Sequence, residues 1–319
     1  MQYRCAVLDD YQNVALQFAD RSRCAANVDV TVFNRSLGDN EDVAKGLADF
    51  QVVCLMRERT PFPREVIETL PNLRLLVTTG RRNATIDMEA AMDKNVLVCG
   101  TDSAAHPTAE LVFAHMLEFA RKVGFESARL KTGETWQSSV GRDLSGKTLG
   151  LVGLGRLGTR VASVAKAFGM KVVAWSQNLT AAKCEEVGVT YTSKEQLLEQ
   201  SDFISIHVVL GKRTRGLIGA GDLARMKGSA FLINTSRGPI VEEAALVDAL
   251  RENRIAGAGI DVFDQEPLPF DHPFRTLARA QITPHLGYVT EDNYRLNYGQ
   301  IVENICAFVV GNPIRVIAS

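Results

Sequence analysis

The chain has 319 residues, enough for two ordinary domains that each bury a core. Its 36 basic and 37 acidic residues nearly cancel and form no long run of either sign, which excludes a charge-driven nucleic-acid or membrane surface. Six cysteines (Cys5, Cys24, Cys54, Cys99, Cys184, Cys306) stand without a C-x-x-C pair or alternation with histidine, so they read as reduced, mostly structural thiols rather than a metal site or a disulfide framework.

The first ten residues turn acidic without a long apolar core, and no later apolar run approaches a membrane span; a soluble, cytoplasmic protein is expected. Short β-branched or Leu-rich runs then alternate with segments of helical period, the pattern of parallel sheets with crossover helices, so the class is α/β. Strands are expected over 5–8, 28–33, 52–56, 73–78 and 96–99, with helices such as 65–70 and 87–92 between them. A long helix over 108–123 leads to a second set of strands at 148–152, 171–175, 203–207, 230–234, 257–262 and 281–283. Residues 131–147 are polar and read as a connection, and 294–310 is again helical in period before Gly311-Asn312-Pro313.

The strand at 148–152 runs into Gly153-Leu154-Gly155-Arg156-Leu157-Gly158, and an apolar-periodic helix continues over 159–168. A lone G-x-G-x-x-G is weak, but between a strand and a helix it is the dinucleotide fingerprint. Gly153 permits the tight turn, Gly155 lets the backbone approach a pyrophosphate, and Gly158 lets helix and strand pack closely, with the helix N-terminus facing the phosphates. The second strand ends Trp175-Ser176-Gln177-Asn178, without the acidic residue that usually takes the adenosine ribose. Ser176, Gln177 or Asn178 suits a ribose hydroxyl without repelling a 2′-phosphate, yet no arginine stands beside them in sequence; NAD is favoured over NADP.

Three residues follow in order: Arg237 in Asn234-Thr235-Ser236-Arg237-Gly238, Glu266 in Asp261-Val262-Phe263-Asp264-Gln265-Glu266-Pro267, and His285 in Thr283-Pro284-His285-Leu286-Gly287. A guanidinium binds the carboxylate of a 2-keto acid and polarises its carbonyl with forked donors that lysine does not reproduce. A histidine exchanges the proton on the substrate oxygen, and a carboxylate on its other nitrogen favours the charged ring and fixes its orientation.

These signatures resemble, in order and over essentially the whole chain, those of the D-isomer-specific 2-hydroxyacid dehydrogenases, a family that includes phosphoglycerate dehydrogenases and glyoxylate or hydroxypyruvate reductases. The resemblance implies two Rossmann-like, doubly wound domains with parallel sheets and an active site in the interdomain cleft. A substrate-binding domain would comprise 1–102 plus 288–319, and a dinucleotide-binding domain 103–287. It implies Arg237 as the substrate-binding cation and Glu266 with His285 as the acid–base pair. The cofactor would meet Gly153, Gly155, Arg156, Leu157, Gly158, Ser176, Gln177, Asn178, His207 and Thr235, with Asp261 on the nicotinamide amide and Thr108 near the nicotinamide. A small 2-keto or 2-hydroxy acid is the expected partner and a homodimer the expected assembly, with no metal.

The chain departs from the family in the loop Thr78-Thr79-Gly80-Arg81-Arg82-Asn83. Gly80 matches, but Arg81, Arg82 and Asn83 replace small residues, so side chains are expected to join in binding the substrate anion unless they point to solvent. Arg57, in the loop after the third strand, is a further expected substrate contact. Two rival functions stand beside this one: formate or phosphite oxidation within the same family, and a dinucleotide-sensing binding protein on the same fold. Glu266 argues against the formate enzymes, which have glutamine there, and the intact trio argues against a purely sensory role.

Overall fold

The computed structural model describes residues 2–20, 22 and 26–317; Cys24 lies outside them. By contacts the chain divides into two compact units, Met1–Ala104 with Thr290–Ser319, and Ala105–Val289.

The first unit begins β1 (Tyr3–Val7), α1 (Ala15–Phe18), β2 (Val28–Val32), α2 (Asn40–Leu47), β3 (Val52–Leu55), α3 (Arg64–Thr69), β4 (Leu75–Thr78), α4 (Met88–Asp93) and β5 (Leu97–Gly100). Its five strands lie in the order β2-β1-β3-β4-β5, and every pair is parallel. β3 and β4 are buried along their whole length, which is why they read as continuous apolar runs rather than alternations. On one face Ala6, Leu8, Val53, Leu55, Leu76 and Val98 pack against Val43 and Leu47 of α2, Val66 and Ile67 of α3, and Ala90 and Ala91 of α4. Side-chain caps start two of these helices: Asp39 accepts from the N–H groups of Glu41 and Asp42, and Asp87 from that of Ala90. The winding reverses between β1 and β3, and loops after those strands therefore diverge to form a crevice at the carboxyl edge of the sheet.

The second unit comprises α5 (His106–Arg121), α6 (Val123–Lys131), β6 (Thr148–Val152), α7 (Arg156–Ala167), β7 (Lys171–Trp175), α8 (Ala181–Val187), β8 (Thr190–Tyr191), α9 (Lys194–Gln200), β9 (Phe203–Ile206), α10 (Ala220–Arg225), β10 (Phe231–Asn234), α11 (Glu243–Arg251), β11 (Gly257–Ile260) and β12 (Ala280–Ile282). Seven parallel strands take the order β12-β11-β10-β9-β6-β7-β8, so the reversal falls between β6 and β9. Successive strand residues supply opposite cores. Leu149, Leu151 and Ala174 pack with α5 and α7 on one side, while Val152, Ile204 and Leu232 pack with α9, α10 and α11 on the other. Both units are thus Rossmann-like and the class is α/β.

Four local differences from the sequence pattern have physical causes. The helix expected over 108–123 ends at Arg121, because Lys122 takes a left-handed φ of 52° and redirects the chain into α6. α6 buries none of its residues, so no apolar stripe announced it. β8 is two exposed residues long, too short for a period. The helix after the glycine turn begins at Arg156, not at 159, since its first turn buries only Gly158, which has no side chain to show a period.

The chain then returns to the first unit as α12 (Glu291–Val309), capped by Thr290 and burying Tyr294, Tyr298, Ile301 and Ile305. Asn304 donates to Gly100 O at 2.8 Å, and the closing segment pairs with β5 through Gly100 N–H to Arg315 O and Ile317 N–H to Val98 O. The five described cysteines are free thiols. No described helix is long and apolar enough to cross a membrane.

Candidate active site

At the β6/β9 reversal Gly153 has φ +108°, and a Cβ there would lie 2.6 Å from the His207 carbonyl oxygen, so only glycine lets the two strand ends approach. A Cβ at Gly158 would meet Gly153 O at 2.2 Å, the close packing of α7 on its own turn. Gly155 differs: nothing lies within 4 Å of its would-be Cβ, and as N-cap of α7 it makes no side-chain cap of its own. A helix start with open space at its N-cap is suited to an anion.

Beside this turn is a cavity of about 450 Å³. Gly153 and Gly155 line it together with Ser176, Gln177, Asn178 and His207, which the sequence reading had placed at a dinucleotide. Arg156, Leu157 and Gly158 are not on its wall; Leu157 packs instead against the core under α7. Both His207 ring nitrogens and Thr235 Oγ1 are buried without a hydrogen-bond partner among the described residues. Burial pushes the His207 imidazole down to about 4, so the ring is neutral. Unpartnered buried donors and acceptors at this edge fit a polar ligand. Among the described residues no acidic one lines the cavity, but Lys183 and Arg213 do, and Gln177 Nε2 donates to Arg213 O at 3.1 Å. The arginine missing beside Ser176 in sequence arrives from the loop after β9, a correction to the one-dimensional reading.

Arg237, Glu266 and His285 come together in the second unit on the loops after β10, β11 and β12. Asn234 shapes the first loop, its Oδ1 accepting from Ser236 N–H and its Nδ2 donating to Arg237 O. Ser236 Oγ donates to Val208 O at 2.6 Å, and Arg237 Nη1 to Ser236 O at 2.6 Å. At Gly238 a Cβ would lie 2.2 Å from the Phe263 carbonyl carbon, so glycine allows the Arg237 and Glu266 loops to touch. Glu266 Oε1 accepts from Phe263 N–H at 2.9 Å, and Oε2 lies 2.6 Å from His285 Nδ1. The His285 and Glu266 side chains are 12% and 25% exposed, a screened pair still reachable from outside. Burial raises the Glu266 carboxyl, but the bond from His285, the ring's charge, Phe263 N–H and the Arg237 charge outweigh it and leave the group below its ordinary value.

The turn that carries His285 is itself clamped. His285 has φ 54°, and its N–H donates to Asp261 O at 2.9 Å. The Asp261 carboxylate accepts from Leu286 N–H at 2.7 Å, Gly287 N–H at 2.9 Å and Thr283 Oγ1 at 2.6 Å. Asp261, expected on the nicotinamide, is therefore fully buried and taken up by the His285 turn. Burial raises its carboxyl despite those donors. Thr108, expected near the nicotinamide, donates its hydroxyl to Gly287 O at 2.6 Å and locks the same turn. Two supports went unnoticed in sequence, Thr283 and His115, whose Nε2 lies 3.3 Å from Thr283 Oγ1. Only the Thr-Pro-His context hinted at Thr283; nothing signalled His115.

The expected substrate residues lie together in the first unit, at the carboxyl ends of β3 and β4. Gly80 (φ +93°) donates its N–H to Thr101 Oγ1 at 2.9 Å. Arg81 does not turn toward the loop: it pairs with Asp102, Nη2 to Oδ1 at 2.5 Å, and is 82% exposed. Arg82 is exposed. The Asn83 amide is engaged within the loop, with Thr85 N–H and Oγ1 donating to its Oδ1.

Residues 113–287 match the profile of the D-isomer specific 2-hydroxyacid dehydrogenase NAD binding domain. A glyoxylate reductase of Thermococcus litoralis is 38% identical over 257 residues, 78% of this chain and 77% of its own. A hydroxypyruvate reductase of Blautia hydrogenotrophica is 31% identical over 296 residues, 90% of this chain and 91% of its own. A crystal structure of phosphoglycerate oxidoreductase from Vibrio cholerae superposes with a TM-score of 0.92 at 34% identity, covering 97% of this chain and all of that one. The chain belongs to the D-isomer-specific 2-hydroxyacid dehydrogenase family, nicotinamide-dependent oxidoreductases that act on the CH–OH group of 2-hydroxy acids.

Proposed function

We propose that this enzyme reduces a small 2-keto acid of the glyoxylate or hydroxypyruvate kind to the D-2-hydroxy acid, and reverses the step. The observation that carries the reading is the 2.6 Å Glu266–His285 pair on a turn held by Asp261, with Arg237 near enough to lower the Glu266 carboxyl. When bound, the nicotinamide supplies the hydride that adds to the keto carbon. His285, as imidazolium, gives its proton to the carbonyl oxygen as that oxygen gains charge; Glu266 on Nδ1 steadies the cation and leaves the opposite ring nitrogen to face substrate. Arg237 binds the carboxylate and polarises the carbonyl. The Gly153–Gly158 turn would hold the pyrophosphate, residues 176–178 the adenosine ribose, and His207 and Thr235 the inner edge of the dinucleotide. Arg57, beside the Gly80 loop, adds substrate anion recognition.

Ser176, Gln177 and Asn178 are compatible with NAD, the cofactor favoured in sequence. A second reading, NADP, is supported by one observation, the Lys183 and Arg213 side chains on a cavity wall without an acid. We also place the protein in the cytoplasm, as its free thiols suit, and as a homodimer on the family pattern; light scattering in solution tests the latter.

Glyoxylate, hydroxypyruvate, pyruvate, phenylpyruvate and 3-phosphohydroxypyruvate assayed with NADH and NADPH test the reading. Turnover of a small keto acid supports it. Dinucleotide binding without turnover of any of them would replace it by the sensory function.

A further inference from the structure

Arg57 is the second residue beyond β3, at the β1/β3 reversal where parallel sheets receive ligands. Its backbone is left-handed, φ 57°, a conformation that an arginine holds only when its surroundings impose it. Two bonds impose it. Arg57 N–H donates to Thr79 Oγ1 at 2.9 Å, and Arg57 O accepts from Asn83 Nδ2 at 2.8 Å. The same Nδ2 donates to Thr78 Oγ1 at 3.0 Å, while Asn83 Oδ1 accepts from Thr85 N–H at 3.0 Å and Thr85 Oγ1 at 2.7 Å. Both amide hydrogens and both oxygen lone pairs are thereby used, so the Asn83 side chain keeps no group for a ligand.

The Arg57 guanidinium lies across Gly80. A Cβ at Gly80 would come within 2.1 Å of Nη1, which also donates to Thr79 O at 3.3 Å, and Glu58 Oε2 stands 3.7 Å from Nε. Gly80 N–H is committed to Thr101 and Arg81 to Asp102, and Arg82 is exposed, so Arg57, with a side chain only 22% exposed, is the cation this loop holds in a fixed place. We propose that Asn83 is a positioning residue: its amide ties the loop after β4 to the Arg57 carbonyl and so holds the guanidinium over Gly80, where it meets the substrate carboxylate. The inference rests on the reading that Arg57 binds substrate.

The test is a double-mutant cycle read by steady-state kinetics with glyoxylate, with NADH affinity and melting temperature measured alongside. Asn83→Asp keeps the shape but turns a donor toward the Arg57 carbonyl into an acceptor, and should raise KM about tenfold or more with kcat within about twofold and NADH affinity unchanged. Asn83→Ala should do the same, and Gly80→Ala should reproduce the loss by displacing the guanidinium while leaving the amide intact. Arg57→Ala should raise KM at least as far, and adding Asn83→Ala to it should cost nothing more. An additive double variant, or wild-type KM in both Asn83 variants beside an impaired Arg57→Ala, overturns the positioning role alone. Wild-type KM in Arg57→Ala overturns the substrate reading of Arg57 and the inference with it.

Discussion

His285 Nδ1 and Glu266 Oε2 lie 2.6 Å apart, a contact that fixes the ring in one orientation. Glu266→Gln removes the carboxylate that holds the ring, so kcat for keto-acid reduction should fall by about tenfold or more with nicotinamide affinity unchanged. Wild-type kcat in the variant would show that the pair is not used in catalysis. Arg237→Lys keeps charge but loses the planar fork, so kcat/KM should drop by about tenfold or more with nicotinamide affinity unchanged; full activity would reduce Arg237 to a generic cation. The grouping of Arg237, Glu266 and His285 was legible because each sits in a signature with its own punctuation. Asp261 was legible as important but not in its setting, since the bonds that absorb it come from Thr283, Leu286 and Gly287, over twenty residues away. Asn83 shows the same limit: the sequence places a polar residue in the loop after β4, and only the fold reveals the partners that engage its amide.

Strand, turn and helix at the fingerprint divide its glycines into those the packing requires and one with open space beside it. Gly158→Ala forces a Cβ toward backbone at 2.2 Å, so it should destabilise the second unit by about 1–3 kcal/mol even without ligand. Gly155→Ala meets no protein atom within 4 Å and has φ −80°, so it should melt within about 1 kcal/mol of wild type while losing dinucleotide affinity. Equal melting temperatures for the two variants would contradict this division of labour. Elements were legible where burial wrote a period into the sequence, as in the wholly buried β3, β4, β9 and β10. They were lost where it did not, in the exposed α6 and β8. The arrival of Arg213 beside Ser176 was hidden altogether, because the β6/β9 adjacency that brings it is a property of strand order, not of spacing.

All five histidines, His106, His115, His207, His272 and His285, and both tryptophans, Trp136 and Trp175, belong to the second unit. Acid should therefore act on the two units differently. His207 is held down to about 4 by burial, against about 6.5 in an unfolded chain. The unfolded state takes up the proton first, so this contribution is complete above about pH 6.5 and is lost as pH falls toward 4, on the order of 3 kcal/mol in all. His115, also lowered by burial, adds in the same direction. Asp261 opposes them only as the carboxylate range is approached, because burial raises its pKa and acid then favours the folded state. At Asp9 in the first unit the sign is reversed. Burial holds the Asp9 carboxyl above its ordinary value despite Thr60, Arg59 and Tyr11, so its contribution is present at low pH and is lost as pH rises through the folded value. Tryptophan-fluorescence melts, which report the second unit alone, should drop between about pH 7.5 and about pH 5, and His207→Gln should flatten that dependence. Hydrogen exchange in β1, β3 and β4 should not follow the drop. A variant that loses as much stability as wild type over this interval would show that His207 is not the group whose protonation the second unit resists.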